Sequence, residues 1–194
     1  NICISFLFAQ NYHGSMRYVG PARRELGIRT VFNILGPLAN PANTDYILLG
    51  VYDRSLLELM AGVLINLGIK RAMLIYGNDK LDEISISDTT SVCEIMNGKI
   101  SSYEINPEDY GMKLADKNEI VGGTSEENAK ITLGILKGKI KGAKRDIVLL
   151  NAGCALYIGK ADNISEGINL AKASIDGGWA YSKLQQLIEY SNKY

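Results

Sequence analysis

Residues 46–76 read YILLGVYDRSLLELMAGVLINLGIKRAMLIY, and this stretch decides the fold class. Residues 46–51 form a continuous apolar run, which is typical of a strand covered on both faces. Apolar residues then recur at helical spacing over 56–67, and Gly68 closes that helix. Residues 72–76 form the next apolar run. A strand, a helix and a strand in this order predict a βαβ unit with parallel strands.

Downstream of this unit, two local motifs predict further elements. Residues 91–105 centre on Asn97-Gly98, a pair that favours a type I′ turn, so we expect a β-hairpin there. Thr124 and Glu127 have the spacing of a capping box, in which each side chain bonds the backbone N–H of the other residue. A helix should therefore follow Thr124.

The C-terminal third extends the alternation of strands and helices. Residues 146–150 (DIVLL) read as another buried strand, and Asn151 would stand at its end. Ser165 is expected to cap a helix that breaks near 177–178, and a last helix should cover 180–190. We therefore expect an α/β fold, with a mostly parallel central sheet flanked by helices.

Composition argues against several classes of function. The chain has 194 residues, of which 46% are hydrophobic and 22% charged, as in an ordinary globular domain. Lys plus Arg and Asp plus Glu are 21 each, so the net charge is zero, which argues against nucleic acid or an anionic membrane as the main partner. Three widely spaced cysteines favour a reducing cytoplasm over a disulfide framework.

Asp82 and Glu83 are the first candidate site residues. They follow the strand predicted at 72–76, and ligands of open α/β sheets lie beyond the carboxyl ends of strands. Two carboxylates on one short loop suit Mg²⁺, which prefers oxygen ligands and keeps substrate phosphate and water in its coordination shell. The local sequence alone favours a solvated acidic loop over a metal site.

A second candidate is a basic cluster upstream. Arg17, Arg23, Arg24 and Arg29 lie around His13, and the planar guanidinium group matches a carboxylate or a phosphate. The charge pattern alone favours a solvated helix face. His13 could serve as a general base, a polar wall or a hydrogen-bonded core residue.

Two weaker features have an ordinary structural interpretation. Gly122-Gly123-Thr124 precedes a helix and could bind an anion, but it lacks the Gly-Lys-Ser/Thr ending of a nucleotide loop, so a helix cap is the expected role. Cys154 near a helix start could be an activated thiol. No partner base is evident in the sequence, so packing in the core is the expected role.

Several motifs together resemble anthranilate phosphoribosyltransferase. Residues 6–13 (FLFAQNYH) are similar to the FLFA-x-x-YH segment of that family. Residues 23–41 (RRELGIRTVFNILGPLANP) closely resemble its long RRELGIRT-x-FN-x-LGPL-x-NP signature. Shorter matches follow in the family's order, at 50–52, 81–85, 107–111 and 151–153. The resemblance runs through nearly the whole chain.

The resemblance implies a reaction and a set of site residues. The family transfers the phosphoribosyl group of phosphoribosyl pyrophosphate (PRPP) to anthranilate in tryptophan biosynthesis, using Mg²⁺. It implies that Arg23 pairs with the anthranilate carboxylate. Three further matches line the anthranilate channel: His13, Gly36 and Pro37. Asp82 and Glu83 match the acidic pair that holds Mg²⁺ on the pyrophosphate. No residue of this chain is identified as a catalytic group.

The resemblance also implies a division of the chain. Residues 1–11 would be a strand of the α/β domain, 12–36 a returning segment of a small helical domain, and 37–194 the phosphoribosyltransferase α/β domain. The family's GTGGD loop and KHGNR segment do not occur here. We therefore expect a truncated form, inactive alone, whose partner is the missing N-terminal half. The complete protein is expected to be a cytoplasmic homodimer.

Two departures and two rivals accompany the resemblance. Tyr76 stands where the family commonly has histidine, and Trp179 where it usually has lysine; neither position is catalytic in the family. One rival is a nucleobase phosphoribosyltransferase or nucleoside phosphorylase of the same superfamily, which would not need Arg23. The other rival is a non-catalytic paralogue that binds nucleic acid.

Overall fold

The computed structural model describes residues 2–7, 25, 36, 38, 40–42 and 44–193. The chain divides into two compact units, Asn1–Thr44 and Asp45–Tyr194. Each unit is described by itself.

In the first unit, the strand predicted over residues 1–11 is not found in the part described, residues 2–7. Residues 2–7 belong to no strand, and Phe6 is 76% exposed. A short apolar run becomes a strand only where a neighbouring strand pairs with it. Residues 8–11 and most of 12–36 lie outside the described residues. Glu25 and Gly36 are helical, and the assignment of 12–36 to a small helical domain stays a prediction.

The second unit opens with the predicted βαβ unit. Strand β1 spans Tyr46–Gly50, helix α1 Leu56–Asn66 and strand β2 Arg71–Gly77. Strands β1 and β2 pair in parallel, from Tyr46 opposite Arg71 to Gly50 opposite Ile75. Strand β2 is covered on both faces, which explains why its sequence is continuously apolar.

The predicted hairpin is also present. Strand β3 spans Thr90–Met96 and β4 spans Lys99–Ile105, paired antiparallel. Asn97 and Gly98 have φ of 51° and 76°, the positive values that a type I′ turn requires. The described sheet has the order β1-β2-β3-β4.

This sheet is mixed, so the expectation of a mostly parallel sheet holds only roughly. The β1–β2 pairing is parallel, whereas β2–β3 and β3–β4 are antiparallel. The reason is the connection over residues 78–89, which contains no helix. A parallel return needs a crossover of a dozen or more residues, usually an α-helix. Strand β3 instead turns back beside β2.

Helices complete the unit. After a 3₁₀ turn at Pro107–Tyr110 come α2 Lys117–Ile120, α3 Ser125–Leu136, α4 Ala143–Gly159, α5 Ile164–Asp176 and α6 Trp179–Ser191. The capping box at Thr124 is confirmed. Helix α5 is capped by Asn163, which accepts the Glu166 N–H, and not by Ser165. None of the described helices is long and apolar enough to cross a membrane.

The strand predicted at 146–150 is wrong, because these residues lie inside α4. A short apolar run cannot be assigned to a strand or a helix by its pattern alone. Here the buried positions include Leu150, Cys154 and Ile158, which follow one another every four residues. Asn151 therefore projects from the middle of a helix and does not mark a strand end.

The core that supports the site lies between the sheet and α4. Met73, Ile75 and Val92 pack with Leu150 and Cys154 of α4. Helix α4 is held in turn by α5. A Cβ built at Gly167 would lie 2.1 Å from the Gly153 carbonyl oxygen, so the two helix backbones are in direct contact. Position 167 of α5 therefore requires glycine.

Candidate functional site

The acidic pair lies in the connection between β2 and β3. We call residues 78–89 the acidic loop. Asp82 and Glu83 are exposed, whereas Ile84, Ser85 and Ile86 directly after them are fully buried. The loop begins where β2 ends, beside the carboxyl end of its parallel neighbour β1. This is the edge at which open α/β sheets bind their ligands.

Gly50 fixes how closely the acidic loop approaches β1. A Cβ built at Gly50 would lie 1.6 Å from the Asp82 carbonyl oxygen and 2.5 Å from its carbonyl carbon. No side chain can be accommodated at that distance, so the backbone of Asp82 rests directly on the end of β1. Glycine within a strand often marks such an approach of another backbone.

Asn151 of α4 fixes the other side of the pair. Its Oδ1 accepts the Ile84 N–H at 3.0 Å, and its Nδ2 donates to the Ile84 carbonyl at 2.8 Å. The same Nδ2 donates to the carbonyl of Ile147, one turn earlier in α4, at 2.9 Å. We call these three bonds the Asn151 clamp. Since Ile84 is buried, losing the clamp would leave its polar backbone groups unpaired, at about 1–3 kcal/mol each.

Ser85 joins the two arms of the acidic loop. Its N–H donates to Thr90 Oγ1 at 2.9 Å, and its hydroxyl donates to Asp79 Oδ2 at 2.9 Å. The same hydroxyl accepts the N–H groups of Ser87 and Asp88. The loop backbone is therefore ordered by its own hydrogen bonds on both sides of the acidic pair.

Asp79 is a third carboxylate of the loop, and it has a structural role. Its side chain is only 6% exposed, and Lys117 Nζ lies 3.7 Å from Oδ2. The Lys117 ammonium also donates to the Asp79 backbone carbonyl. Oδ1 is buried and has no hydrogen-bond partner among the described residues. Lys117 and Ser85 compensate the buried charge, so Asp79 braces the loop.

The donor set of the loop fits a magnesium ion bound together with substrate. Among the described residues, none pairs with the carboxylates of Asp82 or Glu83, so their oxygens face solvent and can coordinate a cation. Mg²⁺ is commonly held by one or two carboxylates, with substrate phosphates and water completing the shell. The described part of the chain contains no cluster of three or more acidic, His or Cys side chains that would form a closed protein cage.

The residues implied to bind the acceptor cannot be placed in the same way. His13, Arg23 and Pro37 lie outside the described residues. Gly36 is helical and half-buried, with open space around a Cβ built on it. Gly36 belongs to the first unit and the acidic pair to the second. The roles of these four residues therefore stay predictions.

Cys154 and the turn at residues 122–124 have the structural roles that the sequence predicts for them. Cys154 is buried in the middle of α4, and burial raises the pKa of its thiol to about 12, so it is a core residue and not an activated nucleophile. In the turn at residues 122–124, the Gly123 N–H already donates to Asn128 Oδ1 at 2.9 Å. The Thr124 N–H donates to Glu127 Oε2 at 2.7 Å. These N–H groups are occupied by a helix cap.

Sequence reasoning missed Gly50 and Asn151 as supports of the acidic pair. Both occur in the short motifs by which the chain resembles its family, but nothing local indicates what they contact. A glycine at the end of an apolar strand is a usable signal for a close backbone approach. Asn151 offers no such signal, because its partner Ile84 is 67 positions away.

Comparison with known proteins gives the class of protein. The family described as "Glycosyl transferase family, a/b domain" matches residues 1–181, so the chain belongs to this family. The fold and the acidic loop at the carboxyl end of its parallel strands agree with that class.

Similar proteins narrow the class further. The chain is 54% identical over 193 residues to the anthranilate phosphoribosyltransferase of Methanobrevibacter smithii, covering 99% of this chain and 57% of the relative. The crystal structure of the Thermus thermophilus enzyme of that name matches at a TM-score of 0.90 and 40% identity, over 97% of this chain and 56% of that one. The structure of the Saccharomyces cerevisiae enzyme in complex with PRPP and Mg matches at a TM-score of 0.86 and 29% identity. The match covers 94% of this chain and 53% of that one. The chain thus spans just over half the length of these proteins.

Proposed function

We propose that the full-length protein to which this chain corresponds is an anthranilate phosphoribosyltransferase. By full-length protein we mean this chain extended to the length of its relatives. It would convert anthranilate and PRPP to N-(5′-phosphoribosyl)anthranilate and pyrophosphate, a step of tryptophan biosynthesis. The observation that carries the proposal is the identity of more than half of the residues with an enzyme of that name, over nearly the whole chain.

The bond changes define what the site must do. The anthranilate nitrogen attacks the anomeric carbon of PRPP, the carbon–oxygen bond to pyrophosphate breaks, and the nitrogen loses a proton. The amine is neutral and weakly basic, so the larger demand is to stabilise the charge on the leaving pyrophosphate. Mg²⁺, when bound, supplies that stabilisation as a Lewis acid.

The residues of this chain would divide the task between donor and acceptor. Asp82 and Glu83 would hold the magnesium ion at the pyrophosphate, with their backbone fixed in advance by Gly50 and Asn151. Arg23 would pair with the anthranilate carboxylate and so orient the amine. Three residues would line the channel for the ring: His13, Gly36 and Pro37.

The proposal extends to partners and location. The complete protein would be a homodimer, and this chain would need the N-terminal half of the same enzyme to bind PRPP. Zero net charge supports small molecules over nucleic acid or a membrane surface as partners. The free cysteines Cys93 and Cys154 support a reducing cytoplasm.

The test is the loss of anthranilate fluorescence on addition of PRPP and Mg²⁺. The full-length protein should consume anthranilate, and this chain alone should not. Adenine and uracil, offered in place of anthranilate, should release no pyrophosphate. Consumption of a nucleobase but not of anthranilate would overturn the proposal in favour of the nucleobase-specific relative.

A further inference from the structure

We propose that Asn151 is a positioning residue for the acidic pair. It would set the direction in which Asp82 and Glu83 present their carboxylates to a divalent cation. The inference rests on the proposed function, because it assigns a role to the supports of that same site. It concerns a residue that touches neither cation nor substrate and acts through the loop backbone.

The geometry of the clamp carries the first step. The Asn151 amide bonds both the N–H and the C=O of Ile84, at 3.0 and 2.8 Å. Because a peptide unit is planar, the Ile84 N–H shares its plane with the Cα and carbonyl of Glu83. The clamp therefore orients the peptide unit from which the Glu83 side chain departs.

The second step is that the pair is fixed from both sides. The Asp82 carbonyl rests on the end of β1, where even a Cβ at Gly50 would collide with it. The Ile84 backbone is held by α4. The carboxylates of the two residues between these points pair with no described residue. The loop is thus rigid in its backbone while its carboxylates remain available.

The third step is that Asn151 is itself held firmly. Its Nδ2 also bonds the Ile147 carbonyl, which fixes the amide relative to its own helix. Its neighbour Leu150 is fully buried in the core beneath the sheet. The position of the acidic pair is therefore tied to the core of the unit and not to a mobile surface.

Only an amide meets the requirement at this position. The Ile84 N–H needs an acceptor and the Ile84 carbonyl needs a donor, and the Asn side chain offers both on one group. Leucine has a similar shape but neither function. Groups that bond metal-ligating side chains directly change metal affinity about 10–100-fold when removed, and we expect Asn151, which acts through the backbone, near the lower end of that range.

The chain offers a matched control in Asn128. This residue makes the same double contact with the backbone of Gly123, accepting its N–H at 2.9 Å and donating to its carbonyl at 3.1 Å. Its contact is exposed and spans only five positions, at the start of α3. Asn128→Leu removes the same chemistry without touching the acidic loop.

The experiment titrates the full-length protein with Mn²⁺ in the presence of PRPP and follows the broadening of the Asp82 and Glu83 backbone amide signals by NMR. Asn151→Leu should require about 10-fold more Mn²⁺ than wild type, or more. Asn128→Leu should titrate as wild type. In the transfer assay, Asn151→Leu should raise the Mg²⁺ requirement by a similar factor and leave the anthranilate KM unchanged.

Two results would overturn the inference: an Asn151→Leu protein that binds Mn²⁺ as wild type does, or wild-type amides of Asp82 and Glu83 that Mn²⁺ does not broaden. If Asn151→Leu does not fold, Asn151→Ala removes the same amide without added bulk and is titrated in its place. If the Mn²⁺ difference is found in a protein that transfers no phosphoribosyl group to anthranilate, the positioning role stands and the proposed function fails.

Discussion

Two loops of this protein are held by the same chemistry and differ in what they hold. In the acidic loop, Asn151 bonds the N–H and C=O of Ile84 across 67 positions of sequence. In the turn at 122–124, Asn128 bonds the same two groups of Gly123 across five positions. The first contact ties a loop to a distant helix, and the second completes the start of a helix.

The difference shows which contact can carry function. The local contact joins a capping box that satisfies the first N–H groups of α3, so its N–H groups are occupied. The long-range contact fixes only backbone and leaves the adjacent carboxylates available for a ligand. Substitutions in the two loops should therefore differ in their effect on metal binding.

The largest effect is expected from removing the acidic pair. Asp82→Ala with Glu83→Ala should raise the Mg²⁺ requirement of phosphoribosyl transfer by about 100-fold or more, because direct ligands contribute more to metal affinity than the residues that position them. The matched control is Glu126→Ala with Glu127→Ala, an adjacent acidic pair at the start of α3. A Mg²⁺ titration is the measurement. If both double variants titrate alike, the acidic loop is not the metal site.

The next effect is expected at the contact between the acidic loop and β1. Gly50→Ala places a Cβ into the Asp82 carbonyl and should cost about 1–3 kcal/mol of unfolding free energy, as overpacking does. It should also raise the Mg²⁺ requirement by displacing the loop. Gly62→Ala in α1 is the control, since nothing lies within 4 Å of its Cβ. Denaturant unfolding that ranks Gly62→Ala as the more damaging change would contradict this interpretation.

A substitution at Arg23 is expected to affect the binding of anthranilate without affecting the binding of the metal. Arg23→Ala in the full-length protein should raise the anthranilate KM about tenfold or more, because a charged hydrogen bond is worth about 1.5–3 kcal/mol. The Mg²⁺ requirement should stay as in wild type. Steady-state kinetics with each substrate varied in turn measures both quantities. An unchanged KM would remove Arg23 from the anthranilate site.

The smallest effect is expected from the local cap. Thr124→Ala should cost about 1 kcal/mol of unfolding free energy and leave the Mg²⁺ requirement unchanged. Hydrogen bonds from the Thr124 backbone and hydroxyl lower the pKa of the Glu127 carboxyl. A lowered folded-state pKa contributes stability above the usual carboxyl value of about 4.3, which is lost as the pH falls through the folded pKa. The difference in unfolding free energy between Thr124→Ala and wild type should therefore become smaller at acidic pH. Urea unfolding at several pH values would measure it.

Much of the fold could be predicted from the sequence, because those elements depend on local chemistry. The βαβ unit follows from two continuous apolar runs around a helical repeat, and the hairpin follows from the positive φ that Asn97-Gly98 tolerates. The strand predicted at 146–150 is wrong, because a buried helix segment and a buried strand can have the same short run of apolar residues.

The site could be predicted only in part, for the same physical reason. Asp82 and Glu83 are recognisable as adjacent acids after a strand. Gly50 and Asn151 act through contacts that form only when distant segments meet, and no pattern near them indicates Asp82 or Ile84 as a partner. The direction of β3 follows only once residues 78–89 are known to contain no helix, because a parallel return usually needs a helical crossover.

In the proposed function, the acidic loop holds the divalent cation of the reaction. The most direct test is anomalous scattering from crystals of the full-length protein soaked with Mn²⁺ and PRPP. We expect an anomalous peak about 2.1 Å from a carboxylate oxygen of Asp82 or Glu83. A bound PRPP whose Mn²⁺ peaks all lie away from both side chains would contradict it.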